Sequence, residues 1–198
     1  MGGTLRGMLI LASTSRYRKA LLERLGLPFT ALAPACDEEA LKDPTWSPQE
    51  TAERLALAKA RSLVAAHPGA TIIGSDQVCA LGREILHKPG TPERAVDHLS
   101  RLAGTTHELI TALVVIGPNG EVRSHTDITR LTMRPLDRPA LERYVAADHP
   151  VDCAGAYKLE LRGITLFSTI TSADQTAIVG LPLMALTGIL AEFDHAIP

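Results

Sequence analysis

Ala70-Thr71-Ile72-Ile73-Gly74-Ser75-Asp76-Gln77-Val78 is the stretch on which the fold turns. Its β-branched opening runs without polar alternation, the pattern of a strand covered on both faces and so placed centrally in a sheet. Asp76, at the end of that run, is costly to bury unless it is paired, hydrogen-bonded or bound to a metal ion. A plain strand-end turn fits the same residues.

Outward from this strand, elements are marked by their caps. Ser47-Pro48-Gln49-Glu50 opens a helix with Ser47 as N-cap, Pro48 at the first position and Glu50 completing a capping box. The helix is expected to run to about Ala66, where His67-Pro68-Gly69 stops it. Met8 to Ala12 reads as a strand that leads at once into a helix from Ser15 to Leu25, with Gly26 past its end. Phe29 to Ala33 reads as a second short strand. Downstream, Thr91-Pro92-Glu93 starts a helix ending near Leu102. His107–Ile116 and Val122–Met133 flank Gly117-Pro118-Asn119-Gly120 as a long antiparallel hairpin. Asp137 caps a helix ending near Ala147, Gly163 to Ile170 reads as a strand, and Pro182 begins a last helix. Crossover helices mixed with a hairpin predict an α/β fold, a mixed sheet with helices on both faces.

The chain has 198 residues, enough for one sizeable domain, and residues 1–7 read as a flexible extension ahead of it. A formal net charge of −2 argues against a general nucleic-acid binder, though a small phosphorylated ligand needs only a few local cations. Cys36, Cys79 and Cys153 contain no C-x-x-C pair and read as reduced thiols. The most apolar stretch, Ala177 to Ala191, is broken by Gly180, Pro182 and Gly188, and is shorter than the roughly 18 residues of a membrane span. The N-terminus lacks the apolar region of a signal peptide, and Arg6 stands where a myristoylation signal wants Ser or Thr. A cytoplasmic protein is expected.

Four segments carry the chemistry. Ser13-Thr14-Ser15-Arg16-Tyr17-Arg18-Lys19 joins a strand to a helix, offering free N–H groups, hydroxyls and cations as a phosphate cradle. The same residues also fit an N-cap serine followed by solvated charges. Asp76 with Gln77 is the second segment. His87-Lys88-Pro89-Gly90 holds a lysine in extended pre-proline backbone, which an exposed loop lysine would share. Cys153-Ala154-Gly155-Ala156-Tyr157-Lys158-Leu159-Glu160 is rich in small residues that let a ligand approach the backbone. Asp37-Glu38-Glu39 could help to hold a cation or be a solvated loop, and Lys59 taken alone reads as a surface lysine. The absence of P-loop, G-x-G-x-x-G, H-E-x-x-H and G-x-S-x-G patterns removes several enzyme classes.

Taken together and in order, Leu11-Ala12-Ser13-Thr14-Ser15, Leu57-Ala58-Lys59-Ala60, Gly74-Ser75-Asp76-Gln77-Val78, Lys88-Pro89, Ala154-Gly155 and Val179-Gly180-Leu181-Pro182 resemble the Maf family of nucleotide pyrophosphatases. The resemblance spans Leu9 to about Leu190. Within the family the chain is similar to the branch acting on 7-methyl-GTP, through Tyr17 followed by Arg18, Ser75 before Asp76, Gln77, Glu160 and Asp148-His149-Pro150…Cys153-Ala154-Gly155. The dTTP/UTP branch typically has two arginines after Ser-Pro, a threonine before the motif aspartate and a glutamine in the later loop. Arg16 stands where the family usually has proline, and Leu161-Arg162 where a smaller turn is common.

The resemblance implies an ITPase-like, two-lobed α/β fold on an elongated mixed sheet with the site in its cleft, frequent homodimers and a divalent cation, Mg²⁺ or Mn²⁺. It implies hydrolysis of the α–β bond of a nucleoside triphosphate. Asp76 is then general base or metal ligand; an ordinary aspartate, with a pKa of ~3.9, is a feeble base, which favours a metal-activated water. Glu38 is the expected second carboxylate at the metal. Lys59 and Lys88 join Asp76 as catalytic residues, while Ser13, Ser15 and Arg18 orient phosphates. Tyr17, Gln77 and Glu160 face the base. A dTTP/UTP pyrophosphatase and a non-catalytic nucleotide-binding regulator of cell division are the competing expectations.

Overall fold

The computed structural model describes residues 7–197, so the expected extension lies, apart from Gly7, outside the described residues. The decisive strand is β3 (Thr71–Leu81), preceded by β1 (Leu9–Ala12) and β2 (Thr30–Leu32). β3 outruns its expected end at Val78 by three residues and turns at Gly82 into β4 (Glu84–Leu86), a short strand that carries no strong pattern of its own. β5 (Thr106–Ile116) and β6 (Val122–Met133) form the expected hairpin, and β7 (Phe167–Thr171) closes the far edge. The sheet order is β2-β1-β3-β5-β6-β7, with β4 also on β3. β1 pairs parallel with β2 and β3, and every other pairing is antiparallel.

Helix α1 (Arg16–Glu23) follows β1 and α2 (Pro48–Arg61) follows β2, the latter carrying the full Ser47/Glu50 capping box. α2 stops five residues short of Ala66. Ser62 Oγ takes the Lys59 carbonyl at 2.7 Å, and the next N–H groups reach back only three residues, tightening the chain out of the α-helix. α1 ends two residues before Leu25 for the same reason, in i→i−3 bonds from Arg24, Leu25 and Gly26. α3 (Pro92–Leu102) and α4 (Arg138–Asp148) begin at their expected caps, Thr91 and Asp137. The strand expected from Gly163 is corrected to Phe167–Thr171. Residues 162–166 form a 3₁₀ turn, because the Gly163 N–H bonds the Lys158 carbonyl at 3.0 Å and the Thr165 carbonyl accepts from Arg134. A short unexpected helix, α5 (Gln175–Val179), precedes α6 (Leu183–Glu192).

Strand alternation sorts the core into three clusters. Ile72, Val78, Ile110, Ala112 and Val114 pack against α2 on one face. On the other face, Leu11, Ile73, Leu113 and Val115 meet α1 and α6. Further along that second face, Cys79, Leu109, Leu131 and Met133 meet α3 and α4. The second face thus carries two helical groups, one on each half of the sheet, with α5 between them. α2 lies unusually close to β3: a Cβ at Gly74 would stand 2.3 Å from the Ala56 carbonyl oxygen and 2.8 Å from the Ala60 nitrogen. No helix among the described residues is long and apolar enough to cross a membrane.

Candidate active site

One edge of β3 is shared between two short strands. β1 pairs with it as far as Ile73, and β4 takes over only at Cys79. Gly74 to Val78 therefore lacks a strand partner on that edge, and a cleft of about 880 Å³ opens beside it. Alternation turns Asp76 toward α2 and Ser75 and Gln77 toward the opposite face. Ser13, Ser15, Tyr17, Arg18, Glu38, Lys59, Asp76, Gln77 and Lys88 all line the cleft.

Asp76 and Lys59 are buried, at 8% and 6% exposure. Lys59 is therefore not the surface lysine that its helix position suggests: the close approach of α2 over Gly74 carries it onto β3. Its Nζ donates to Asp76 Oδ1 at 2.6 Å and lies 2.9 Å from Glu38 Oε2. Of the acidic run, only Glu38 turns inward to Lys59; Asp37 caps its own loop by accepting from the Glu39 and Ala40 N–H groups, and Glu39 pairs with Lys42. Two charges taken out of water are tolerated because each supplies the other's partner.

Arg18 is half-buried, and desolvation lowers its pKa against the opposing pull of Asp76 and Glu38. Its Nε donates to the Gly180 carbonyl at 2.9 Å, which also accepts from Ser75 Oγ at 3.0 Å. Gly180 ends α5 at φ +117°, where a side chain would be strained. Ser15 caps α1 with Oγ and donates its N–H to Ser13 Oγ at 3.1 Å. The capping reading of this loop is the one its hydrogen bonds display. Lys88 is exposed at the rim.

A smaller cavity of about 100 Å³ adjoins the cleft on the other face, and Tyr17, Arg18, Gln77, Lys88 and Asp152 line both. Leu109, Tyr157, Leu159, Ile178 and Val179 give it apolar walls, and Glu160 stands in it, outside the larger cleft. Gln77 Nε2 donates to Thr111 Oγ1 and the Ala177 and Ile178 carbonyls at 2.9 to 3.0 Å. Those acceptors fix the amide's orientation and leave its oxygen as the group free to meet a ligand. Beneath the floor, Tyr157 Oη lies 2.9 Å from His107 Nε2, and burial lowers the His107 pKa to about 4. Desolvation holds the Cys79 and Cys153 thiols protonated, with pKa values raised to about 12.

The family profile described as "Maf-like protein" matches residues 8–193. The chain belongs to the Maf family. It is 50% identical over 182 residues to the 7-methyl-GTP pyrophosphatase of Bdellovibrio bacteriovorus, covering 92% of this chain and 95% of that protein. It is 46% identical over 190 residues to the protein of the same name from Xanthomonas campestris, covering 96% and 98%. Among solved structures, the Staphylococcus aureus Ham1 protein aligns with a TM-score of 0.55 at 13% identity, covering 93% of this chain and 98% of that one. A HAM1 protein from Coxiella burnetii gives 0.50 at 15%, covering 94% and 99%. These last likenesses show the fold alone.

On this Maf chain every residue predicted for the site lies in one of two joined cavities, with the carboxylate–lysine cluster at one end and Glu160 at the other. Arg16, in the place of the family's usual proline, occupies the first turn of α1, where proline is well accommodated. Asp152, on the wall of both cavities, is the functional candidate that sequence reading missed. Its only signal was its place beside Cys153-Ala154-Gly155. For a cation, Asp76 and Glu38 fit a hard divalent ion with oxygen ligands, and among the described residues no group of three His, Cys, Asp or Glu could hold one unaided.

Proposed function

We propose that this Maf protein hydrolyses a nucleoside triphosphate between its α- and β-phosphates, with 7-methyl-GTP as its substrate. The observation that carries the reading is a buried, lysine-paired Asp76 on an open strand edge, in a cleft that Arg18 and Lys88 also line and that joins a smaller cavity holding Glu160. The names of the two Maf relatives support the same reaction and base. The triphosphate lies along Ser13, Arg18 and Lys88, whose donors neutralise its oxygens and the charge developing on the leaving group. Water adds to the α-phosphorus, the bond to the α–β bridging oxygen breaks, and that electron pair leaves on diphosphate. Asp76 takes the water's proton while Lys59 holds the carboxylate in place.

A divalent cation held by Asp76 and Glu38 would supply further charge neutralisation and a more acidic water. The base enters the smaller cavity, where Glu160 and the Gln77 amide oxygen accept from the N1 and N2 donors of guanine. N7-methylation makes that ring cationic, which a carboxylate complements. The three free thiols support a reducing compartment, the cytoplasm.

The test is a panel of 7-methyl-GTP, GTP, dTTP and UTP with Mg²⁺ or Mn²⁺, resolving monophosphate, diphosphate and orthophosphate. The expected result is 7-methyl-GMP and diphosphate in equal amounts, with 7-methyl-GTP preferred. Orthophosphate as primary product would place the cleavage elsewhere, and faster turnover of dTTP or UTP would reassign the base.

A further inference from the structure

We infer that Asp152 is a positioning residue for base recognition, holding the Tyr17 ring at the junction of the two cavities; this rests on the 7-methyl-GTP reading. Asp152 comes from the loop after α4 and Tyr17 from the first turn of α1, so the contact bridges the two helical groups on one face of the sheet. Tyr17 Oη donates to Asp152 Oδ2 at 3.3 Å, and Arg16 Nη2 donates to Tyr17 Oη at 2.7 Å and to the same carboxylate oxygen at 3.3 Å. The Arg16 guanidinium also lies over the Tyr17 ring, 4.8 Å from its centroid. One face of the ring is taken, and the hydroxyl at its tip is tied.

Asp152 is itself anchored. Lys158, buried, donates to the Asp148 and His149 carbonyls at 3.1 Å each and lies 3.5 Å from Asp152 Oδ1, which also faces the Cys153 thiol at 3.5 Å. Lys158 thus joins the end of α4 to the loop that presents Asp152. A tyrosine with a free hydroxyl could rotate off the junction. Tied at the tip, it keeps its ring where a cationic base entering the smaller cavity can lie against it, the contact that separates a methylated from an unmethylated guanine. Arg16 and Lys158 offset much of the Asp152 charge, so its part is orientation of the ring more than direct attraction of the base.

The experiment measures kcat and KM on 7-methyl-GTP and GTP for the wild type, Asp152→Ala, Asp152→Asn, Tyr17→Phe and the double variant Asp152→Ala/Tyr17→Phe. Asp152→Ala should lower the 7-methyl-GTP to GTP ratio of kcat/KM by about tenfold, through KM. Asp152→Asn, which keeps an oxygen acceptor, should restore much of the ratio. Tyr17→Phe removes this tie together with the hydroxyl's contacts to Arg16 and Cys153, so the double variant should be no worse than Tyr17→Phe alone. A ratio unchanged in Asp152→Ala, equal losses on both nucleotides, or losses that multiply in the double variant would overturn the role of Asp152. A wild type without preference for 7-methyl-GTP would instead overturn the substrate reading, and this role with it.

Discussion

Lys59 Nζ donates to Asp76 Oδ1 across 2.6 Å, and the same ammonium reaches Glu38 on its other side. The buried lysine therefore occupies the space between the two carboxylates proposed for a divalent cation. A cation arriving alone must displace it, whereas one arriving on a triphosphate brings oxygens that can receive the ammonium. Titration calorimetry with Mn²⁺ should show weak binding to the free protein and markedly tighter binding with a non-hydrolysable triphosphate analogue present. Equal affinity in both conditions would remove the competition argued here.

Asp76→Asn keeps the shape of the side chain and an oxygen for Lys59 but removes the charge and the proton acceptor. Turnover should fall by at least ~10²-fold, the usual scale for losing acid–base help. Lys59→Met should act differently, leaving the Asp76 carboxylate buried without its cation while Glu38 stays solvated, and costing about 3–5 kcal/mol of stability. Thermal denaturation beside kinetics separates them. Asp76→Asn with near-normal turnover would remove the aspartate from the chemistry.

Gly74 has no functional group, yet it decides where Lys59 sits. A Cβ there would press into the Ala56 carbonyl and the Ala60 nitrogen, which are α2 backbone and cannot swing aside. Gly74→Ala should therefore push α2 outward, costing roughly 1–3 kcal/mol as an overpacked contact and lowering activity as the Lys59–Asp76 pair opens. A variant with unchanged melting temperature and turnover would show that the helix yields freely.

His107 gives the fold an acid-sensitive limb. Burial lowers its pKa to about 4, whereas in the unfolded chain it titrates near 6.5. Between those values the unfolded state binds more protons, so stability rises with pH across the window and is lost as pH falls through it. The full effect is about 3 kcal/mol. His107→Gln should flatten the decline of melting temperature between pH 6.5 and 4, and an equally steep decline in the variant would assign it to other groups.

How much of this was legible before the structure depends on how local the determinant is. The Ser47/Glu50 capping box, the Thr91 and Asp137 caps and the β-branched run into Asp76 act within one turn or one strand, and each appears where its residues place it. Lys59 defeated local reading, because its burial depends on Gly74 in another element. Asp152 did too, since its partner Tyr17 is 135 residues away. Strand β4 and helix α5 are held by their neighbours: β4 by Cys79–Leu81, α5 by Gln77 and Thr111. Neither sequence carries a period strong enough to announce them.

Gln77 and Glu160, proposed to meet the base, should separate under mutation, because only one of them is also structural. Gln77 Nε2 serves the Ala177 and Ile178 carbonyls and Thr111, tying β3 and β5 to α5. Gln77→Glu sets a carboxylate against two carbonyl oxygens that have lost the Gln77 donor, the Ala177 one keeping Thr111, a cost of about 1–3 kcal/mol. It should lower melting temperature and damage turnover of every nucleotide, since α5 leads into the Gly180 carbonyl that holds Arg18. Glu160 is exposed, with no hydrogen-bond or ion-pair partner among the described residues, so Glu160→Gln should leave stability within about 0.5 kcal/mol of wild type. Its effect should fall on the base alone: kcat/KM for 7-methyl-GTP drops while that for GTP changes less, because the amide still accepts one hydrogen bond but no longer balances a cationic ring. Steady-state kinetics on both nucleotides, read beside the melting curves, would decide it. Glu160→Gln that lowers both nucleotides equally, or Gln77→Glu that is as stable as wild type, would reverse the division of labour argued here.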